Sequence, residues 1–402
     1  EHWQAHAAKT TRKGEPVKDF LQNDNFLRDW LFSPAPRGLG FTAVNFTKTK
    51  MPQVNEDTLK LYDAPALRVY TEIKHAIKGR AFFASWLEWL GDDGRLHASF
   101  NLSGTVTGRR SNNNPNLQQV PRDKFIRTVL GAPPGWVFVE VDYSQLEVRL
   151  AAWLADEQTM LEIFRDGGDI YRSTAAIFLN KPPAEVSDDD RQRAKAYVLG
   201  FLYGMGPAGF VRYAHETYNL EVTLEEATAA RDKYFETYPG LVRWHHRMRR
   251  TARRDMEVTS PDGRMRHLVN ILSSDHVEQG KAERQAINSP VQGLGADFTL
   301  AAIIELLQVL DPAEARIVGD VHDAVLFEMR EDVWEQNVRT VLRTMESPKI
   351  MRTLAIDWPV RLLAEAQAGP HWKQGPEFTI DDLDDPVEGP LVRVQVAEVM
   401  AT

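Results

Sequence analysis

Val141-Asp142-Tyr143-Ser144-Gln145-Leu146-Glu147 decides the reading of this chain. It closes the apolar run Trp136 to Val141, which has strand length, and it opens a stretch with helical spacing from Leu146 to Leu154. Asp142 therefore belongs where a buried strand reaches the rim of a sheet. A second aspartate, in Val321-His322-Asp323, falls in the middle of Ile317 to Phe327, where strand, turn and strand would place it at the hairpin turn. A lone aspartate at a strand end is ordinarily a turn residue. Two that meet across neighbouring strands repel, and divalent cations resolve that conflict.

Between them runs Arg191-Gln-Arg-Ala-Lys195-Ala-Tyr-Val-Leu199-Gly-Phe-Leu-Tyr203-Gly204. Arg191, Lys195, Leu199 and Tyr203 recur every four residues, so they share one slowly drifting stripe of a helix. Asp188 to Asp190 suit the positive end of its dipole. The stripe reads cation, cation, apolar, aromatic, which matches a nucleotide laid lengthwise. An amphipathic helix with snorkelling cations is the plainer alternative. Glu147 also has two readings, because Ser144-Gln-Leu-Glu147 has the spacing of a capping box.

The three stretches, in order and wording, resemble the family-A DNA polymerases. The resemblance covers about residues 20–375 and implies an α+β, right-hand fold with an antiparallel palm sheet, helical fingers and a helical thumb. Its expected division is 1–95 thumb, 96–156 palm, 157–285 fingers, 286–375 palm again, and 376–402 a tail of unknown role, poorly ordered or a small add-on. It implies that Asp142, Asp323 and the Tyr143 carbonyl hold two Mg²⁺ ions, with Mn²⁺ as the alternative. Arg191, Lys195, Leu199, Tyr203, Gln145, Glu147 and His322 would surround the incoming nucleotide, with Lys195 assisting catalysis, Glu147 excluding a 2′-hydroxyl and His322 near the primer terminus.

Thr105-Val-Thr-Gly108-Arg109-Arg110 and Pro115-Asn116-Leu117-Gln118 resemble the family's duplex-contacting segment. Arg284, Asn288 and Gln292, again four apart, match a helix facing template and primer. Arg109, Asn116, Gln118, Arg284, Asn288 and Gln292 are thus the implied DNA contacts. Donors in a minor groove, where all base pairs look alike, test pair geometry without preferring a sequence.

The chain departs from the family twice. Leu199 stands where a ring is usual, a minority choice that leans toward a phage enzyme. Ala324 stands where a glutamate usually follows His-Asp. Asp320 or Glu328 is expected to restore part of that charge.

The 402 residues, 43% hydrophobic, are enough for a large core in two or three lobes. A net charge of −9, from 48 basic and 57 acidic residues, argues against a histone-like binder. It leaves room for local patches such as Arg243, Arg247, Arg249, Arg250, Arg253 and Arg254, which also reads as a solvated helix face. No cysteine, no signal pattern and no apolar run near 18 residues point to a soluble, cytoplasmic protein without membrane contact. Glu1 in place of Met suggests a fragment or a processed chain. No exonuclease-like acidic cluster precedes the polymerase segments, so proofreading is not expected of this chain.

The activity implied is template-directed extension of a primer by deoxynucleoside triphosphates, by a monomer with or without accessory proteins. A single-subunit RNA polymerase and a non-catalytic, polymerase-derived DNA-binding protein are the competing readings.

Overall fold

The structure, a computed structural model, describes residues 23–47, 49–59, 61–62, 64–121 and 124–401. The expectations for residues 1–22 lie outside it. Two compact units meet in sequence between His97 and Ala98.

In the first unit, Asn23 caps helix α1 (Asp24–Phe32), its side chain accepting from the Asn25 and Phe26 amides at 3.0 and 3.3 Å. Phe26, Leu27, Trp30 and Leu31 form the buried stripe of α1. They share a core with Val54, Leu59, Leu67 and Tyr70, the last two from α2 (Pro65–Glu88). Proline at the first turn of α2 loses nothing, since its missing N–H would have had no helical partner.

The second unit is built on five antiparallel strands. Before them, the short β1 (Ser99–Asn101) pairs with β2 (Ser111–Asn113). The central strand is β3 (Trp136–Tyr143). Then come helices α3 (Leu146–Ala155), α4 (Gln158–Arg165), α5 (Ile170–Leu179), α6 (Asp188–Phe201), α7 (Pro207–Tyr218), α8 (Leu224–Thr237) and α9 (Pro239–Asp255). Gly-Gly, Pro-Pro, Gly-Pro and Pro-Gly pairs mark breaks between them. A hairpin of β4 (Glu257–Thr259) and β5 (Met265–His267) leads into α10 (His276–Val309). The chain closes with β6 (Ala315–Val321), β7 (Ala324–Arg330), α11 (Trp334–Glu346), β8 (Ala364–Gly369) and β9 (Glu377–Phe378). Two final helices are α12 (Ile380–Asp384) and α13 (Glu388–Met400). The sheet order is β6-β7-β3-β8-β9.

Alternation along β3 gives the sheet two unlike faces. Val137, Val139, Val141 and Tyr143 are buried, and the register sets Val139 beside Phe327 and Ala368. Helix α11 packs on β3, β7 and β8, and its Val338, Val341, Leu342 and Met345 are buried in the same core. The Tyr143 hydroxyl donates to the Met345 carbonyl at 2.7 Å, which satisfies the one polar atom on that face of β3. The other face carries Glu140 and Asp142, with Glu365 paired across from Asp142.

Helix α10, 34 residues long, is the one described helix long and apolar enough to cross a membrane. Two-thirds of its most apolar window (67%) is buried inside the protein, so its apolar surface serves the core. It runs through the expected finger–palm limit at 285/286. The tail is an ordered add-on: β9 pairs with β8, and Ile380, Leu383, Val392 and Val396 are buried. Ion pairs of Arg339 with Asp384 and Arg393 with Glu335 ring that contact. With one partner of each pair exposed, they add little to what apolar burial supplies.

His245 on α9 is almost fully buried and donates from Nε2 to the Leu202 carbonyl at 2.8 Å. Burial pushes its pKa down to about 4, against that hydrogen bond. The unfolded chain accepts this proton near pH 6.5, which the fold refuses until about 4. The resulting stability is complete above pH 6.5 and is lost as pH falls to 4, by roughly 3 kcal/mol. Thermal unfolding from pH 7 to 4.5 should therefore fall less steeply for His245→Gln than for the parent. Parallel curves would remove His245 from the account.

Candidate active site

Two carboxylates end up at one rim of the sheet because of register. Val141 pairs with Val325, and Val321 pairs with Ala324, so His322 and Asp323 form a two-residue turn level with Asp142. His322 makes the reversal with φ of 59°, in the left-handed region. Asp142 is exposed at this rim, yet enough protein surrounds it for burial to be the first cause of a raised pKa, about 7. The nearby charges of Asp323 and Glu140 push the same way, and Lys373 opposes them. Burial also raises Asp323, while Arg109, with Nη2 4.0 Å away, pulls it down.

Arg109 joins the other stretches to this point. Its Nη2 also donates to one oxygen of Glu147, and the Tyr203 hydroxyl donates to the other. Glu147 is therefore not the acid of a capping box. Gln145, not Ser144, occupies the cap of α3, in a left-handed conformation (φ 59°, ψ 31°) with no side-chain cap. The charge of Arg109 and the Tyr203 hydroxyl draw Glu147 away from the helix end. The Gln145 Oε1 is buried without a hydrogen-bond partner.

Among the described residues no three His, Asp or Glu side chains converge as a metal cluster. A cation at the rim would rely on Asp142, Asp323, the Tyr143 carbonyl and oxygens from water or substrate. That donor set fits Mg²⁺, which keeps several non-protein oxygens. The charge of Asp323 raising the pKa of Asp142 is the electrostatic condition that such an ion relieves.

The cationic stripe forms as expected on α6, under a capping box of Ser187 and Asp190. Tyr203 lies just beyond the helix and is the member that reaches Glu147. Arg191 is held by Asp169 at 2.8 and 2.6 Å. Both Arg191 and the Lys195 ammonium sit over the Tyr171 ring, at 5.5 and 5.6 Å from its centre. Asp169 and Tyr171 escaped the sequence reading; the Gly-Gly-Asp before an aromatic was the available signal.

Of the other expected contacts, Asn116 caps a short 3-10 turn by accepting from the Gln118 amide at 3.1 Å. The Gln118 side chain donates to the Arg110 carbonyl at 3.3 Å. Arg284 is exposed on α10, while Asn288 and Gln292 are half-buried, and the Asn288 Oδ1 is buried without a partner. Arg264 and Asp297 were also missed. Their fork, with bonds of 2.7 and 2.5 Å, locks the β4–β5 loop to α10. Burial pushes Asp297 up to about 6, against Arg264. Arg264 passes so close to Gly108 (φ 81°) that any Cβ there would collide with its guanidinium. On α9, Arg249 and Arg253 pair with Glu283, whereas Arg243, Arg247, Arg250 and Arg254 stay exposed.

Neither acid expected to replace the charge missing at Ala324 is free to do so. Asp320 is buried against Arg110 at 2.9 Å, and buried Glu328 accepts from Arg316 at 2.8 Å. Each arginine is there because an unpaired carboxylate could not be buried.

A model of DNA polymerase family A matches residues 20–374. DNA polymerase I of Pseudomonas aeruginosa is 34% identical over 70% of this chain and 30% of its own length. The thermostable DNA polymerase I of Thermus filiformis is 35% identical over 63% of the chain and 30% of its own length. The chain thus spans about a third of the length of these relatives. Among solved structures, the POL domain of Pol1 from M. smegmatis, in complex with DNA primer-template and dNTP, superposes with a TM-score of 0.78 at 28% identity. It covers 89% of this chain and 62% of that one. With sheet, motifs and family model in agreement along nearly its whole length, this chain belongs to DNA polymerase family A.

Proposed function

We propose that the chain is a template-directed DNA polymerase, adding deoxynucleoside triphosphates to a primer 3′-hydroxyl with release of pyrophosphate. The observation that carries this is the network Asp323–Arg109–Glu147–Tyr203, which gathers the signature stretches beside Asp142. The primer-template DNA and dNTP bound by the M. smegmatis neighbour support the same partners here.

In this reading Asp142, Asp323 and the Tyr143 carbonyl would hold two Mg²⁺ ions. These would supply the charge that clamps the attacking and leaving oxygens. Arg191 and Lys195 neutralise the β- and γ-phosphates, Arg191 exchanging Asp169 for the triphosphate. Leu199 and Tyr203 lie along the sugar and base, with Glu147 held under the sugar by Arg109 and Tyr203. Residues 1–95 act as thumb and 157–285 as fingers, and the minor-groove contacts come from Arg109, Arg284, Asn288 and Gln292.

One observation favours a non-catalytic reading: with Ala324 in place and Asp320 and Glu328 neutralised, the rim has one acid fewer than the family pattern. Primer extension decides between them. The parent protein should extend a primed template with Mg²⁺, and Asp142→Ala should lower the rate at least about a thousandfold, since metal electrostatics are worth several kcal/mol. No extension by the parent would leave only DNA binding.

Two substitutions test the nucleotide pocket. Leu199→Phe should change the ratio of dideoxy to deoxy incorporation without altering thermal unfolding; identical ratios would count against a role for position 199. Glu147→Ala should narrow the preference for deoxy- over ribonucleotides, and an unchanged preference would end the idea of a steric gate.

A further inference from the structure

Away from the carboxylates, a hollow of about 230 Å³ opens between β5, the turn after it and the start of α10. It is below the roughly 300–1,000 Å³ typical of pockets for drug-sized molecules. Its polar lining includes Arg266, Asn270, Glu278, Lys281 and Gln285. The Arg266 Nε and Nη1 are buried and have no hydrogen-bond partner. Leaving a guanidinium so costs free energy that an anionic acceptor would recover. Glu278 does not serve: its Oε2 accepts from Asn270 Nδ2 at 3.2 Å, and no ion pair joins it to Arg266 among the described residues. Lys281, exposed on the neighbouring helix, has no acidic partner among the described residues. The larger hollow, about 570 Å³ beside α4 and α5, offers no such group, because its Lys181 is engaged by Asp190.

We propose that Arg266 and Lys281 form a binding site for a phosphate group, Arg266 offering directed donors and Lys281 a mobile charge. The group comes either from the backbone of a nucleic-acid strand or from free phosphate. Lys281, Gln285, Asn288 and Gln292 fall at i, i+4, i+7 and i+11 of α10, one helix face. The site thus stands about 10 Å along the helix from the proposed duplex contact Asn288. That continuity favours the strand and rests on the polymerase reading; the phosphate chemistry does not. The site would let α10 grip a strand without reading its bases.

Acetylation of Lys281, followed by mass spectrometry on the whole chain without Mg²⁺ or nucleotide, tests this. Protection by a short oligothymidylate but not by inorganic phosphate assigns the site to a strand. Protection by inorganic phosphate as well assigns it to phosphate from either source. Protection by neither overturns the proposal. Because Lys281 is exposed, Lys281→Gln should fold normally, and its oligothymidylate binding should lose about 0.7 from the slope of log K against log salt. Lys281→Glu should lose at least as much, and slopes equal to the parent in both variants would also overturn the site. Primer extension is measured in parallel. Lys281 protection without extension would sink the polymerase reading alone, and extension without protection would sink only this site.

Discussion

Like charge held at the rim of one sheet is the constraint on which the rest of the second unit depends. Asp142 and Asp323 repel, and surrounding protein withholds the water that would screen them. They stay together because β3 and β7 are locked in register by a face of valine, phenylalanine and methionine packed under α11. A slip of one residue would turn that apolar face outward, so the core that stabilises the sheet also holds the acids in place. Stability and chemistry share the same hydrogen-bond ladder.

Arginine manages the remaining negative charge. Arg109 stands between Asp323 and Glu147, Arg110 satisfies Asp320, Arg316 satisfies Glu328, and Arg264 grips Asp297. The pairs of Arg109, Arg110 and Arg264 also join segments distant in sequence, so electrostatic satisfaction doubles as tertiary connection. Asp142 is left without an arginine among these pairs, and its pKa is the one pushed to about 7. That contrast marks the rim as the place where an added cation has most to offer. The same contrast, with the sign reversed, marks Arg266 beside α10, a half-buried cation whose Nε and Nη1 have no hydrogen-bond partner.

The motifs were legible because each is local. A strand length of apolar residues ending in aspartate, four-residue recurrence on a helix, and proline or glycine at the breaks all follow from backbone periodicity. Helix 188–201 and strands 136–143 and 324–330 appear where those patterns place them. The fate of Glu147 was not legible. Its spacing from Ser144 satisfies a capping box, and only Arg109, 38 residues earlier, and Tyr203, 56 residues later, redirect its carboxylate. Asp320 and Glu328 were misjudged for the same reason, since their neutralising arginines come from another strand or a distant loop.

The sequence by itself determined which elements form, which residue types carry the chemistry, and, through resemblance, the family. The tertiary structure decided which charges remain free. Pairing depends on contacts between segments tens to hundreds of residues apart, and the energy of a charge depends on what else is buried beside it. The acidic tail shows the same division: its prolines and aspartates left a loose end and a small add-on equally open, and four apolar side chains that seat it against the sheet decide for the add-on.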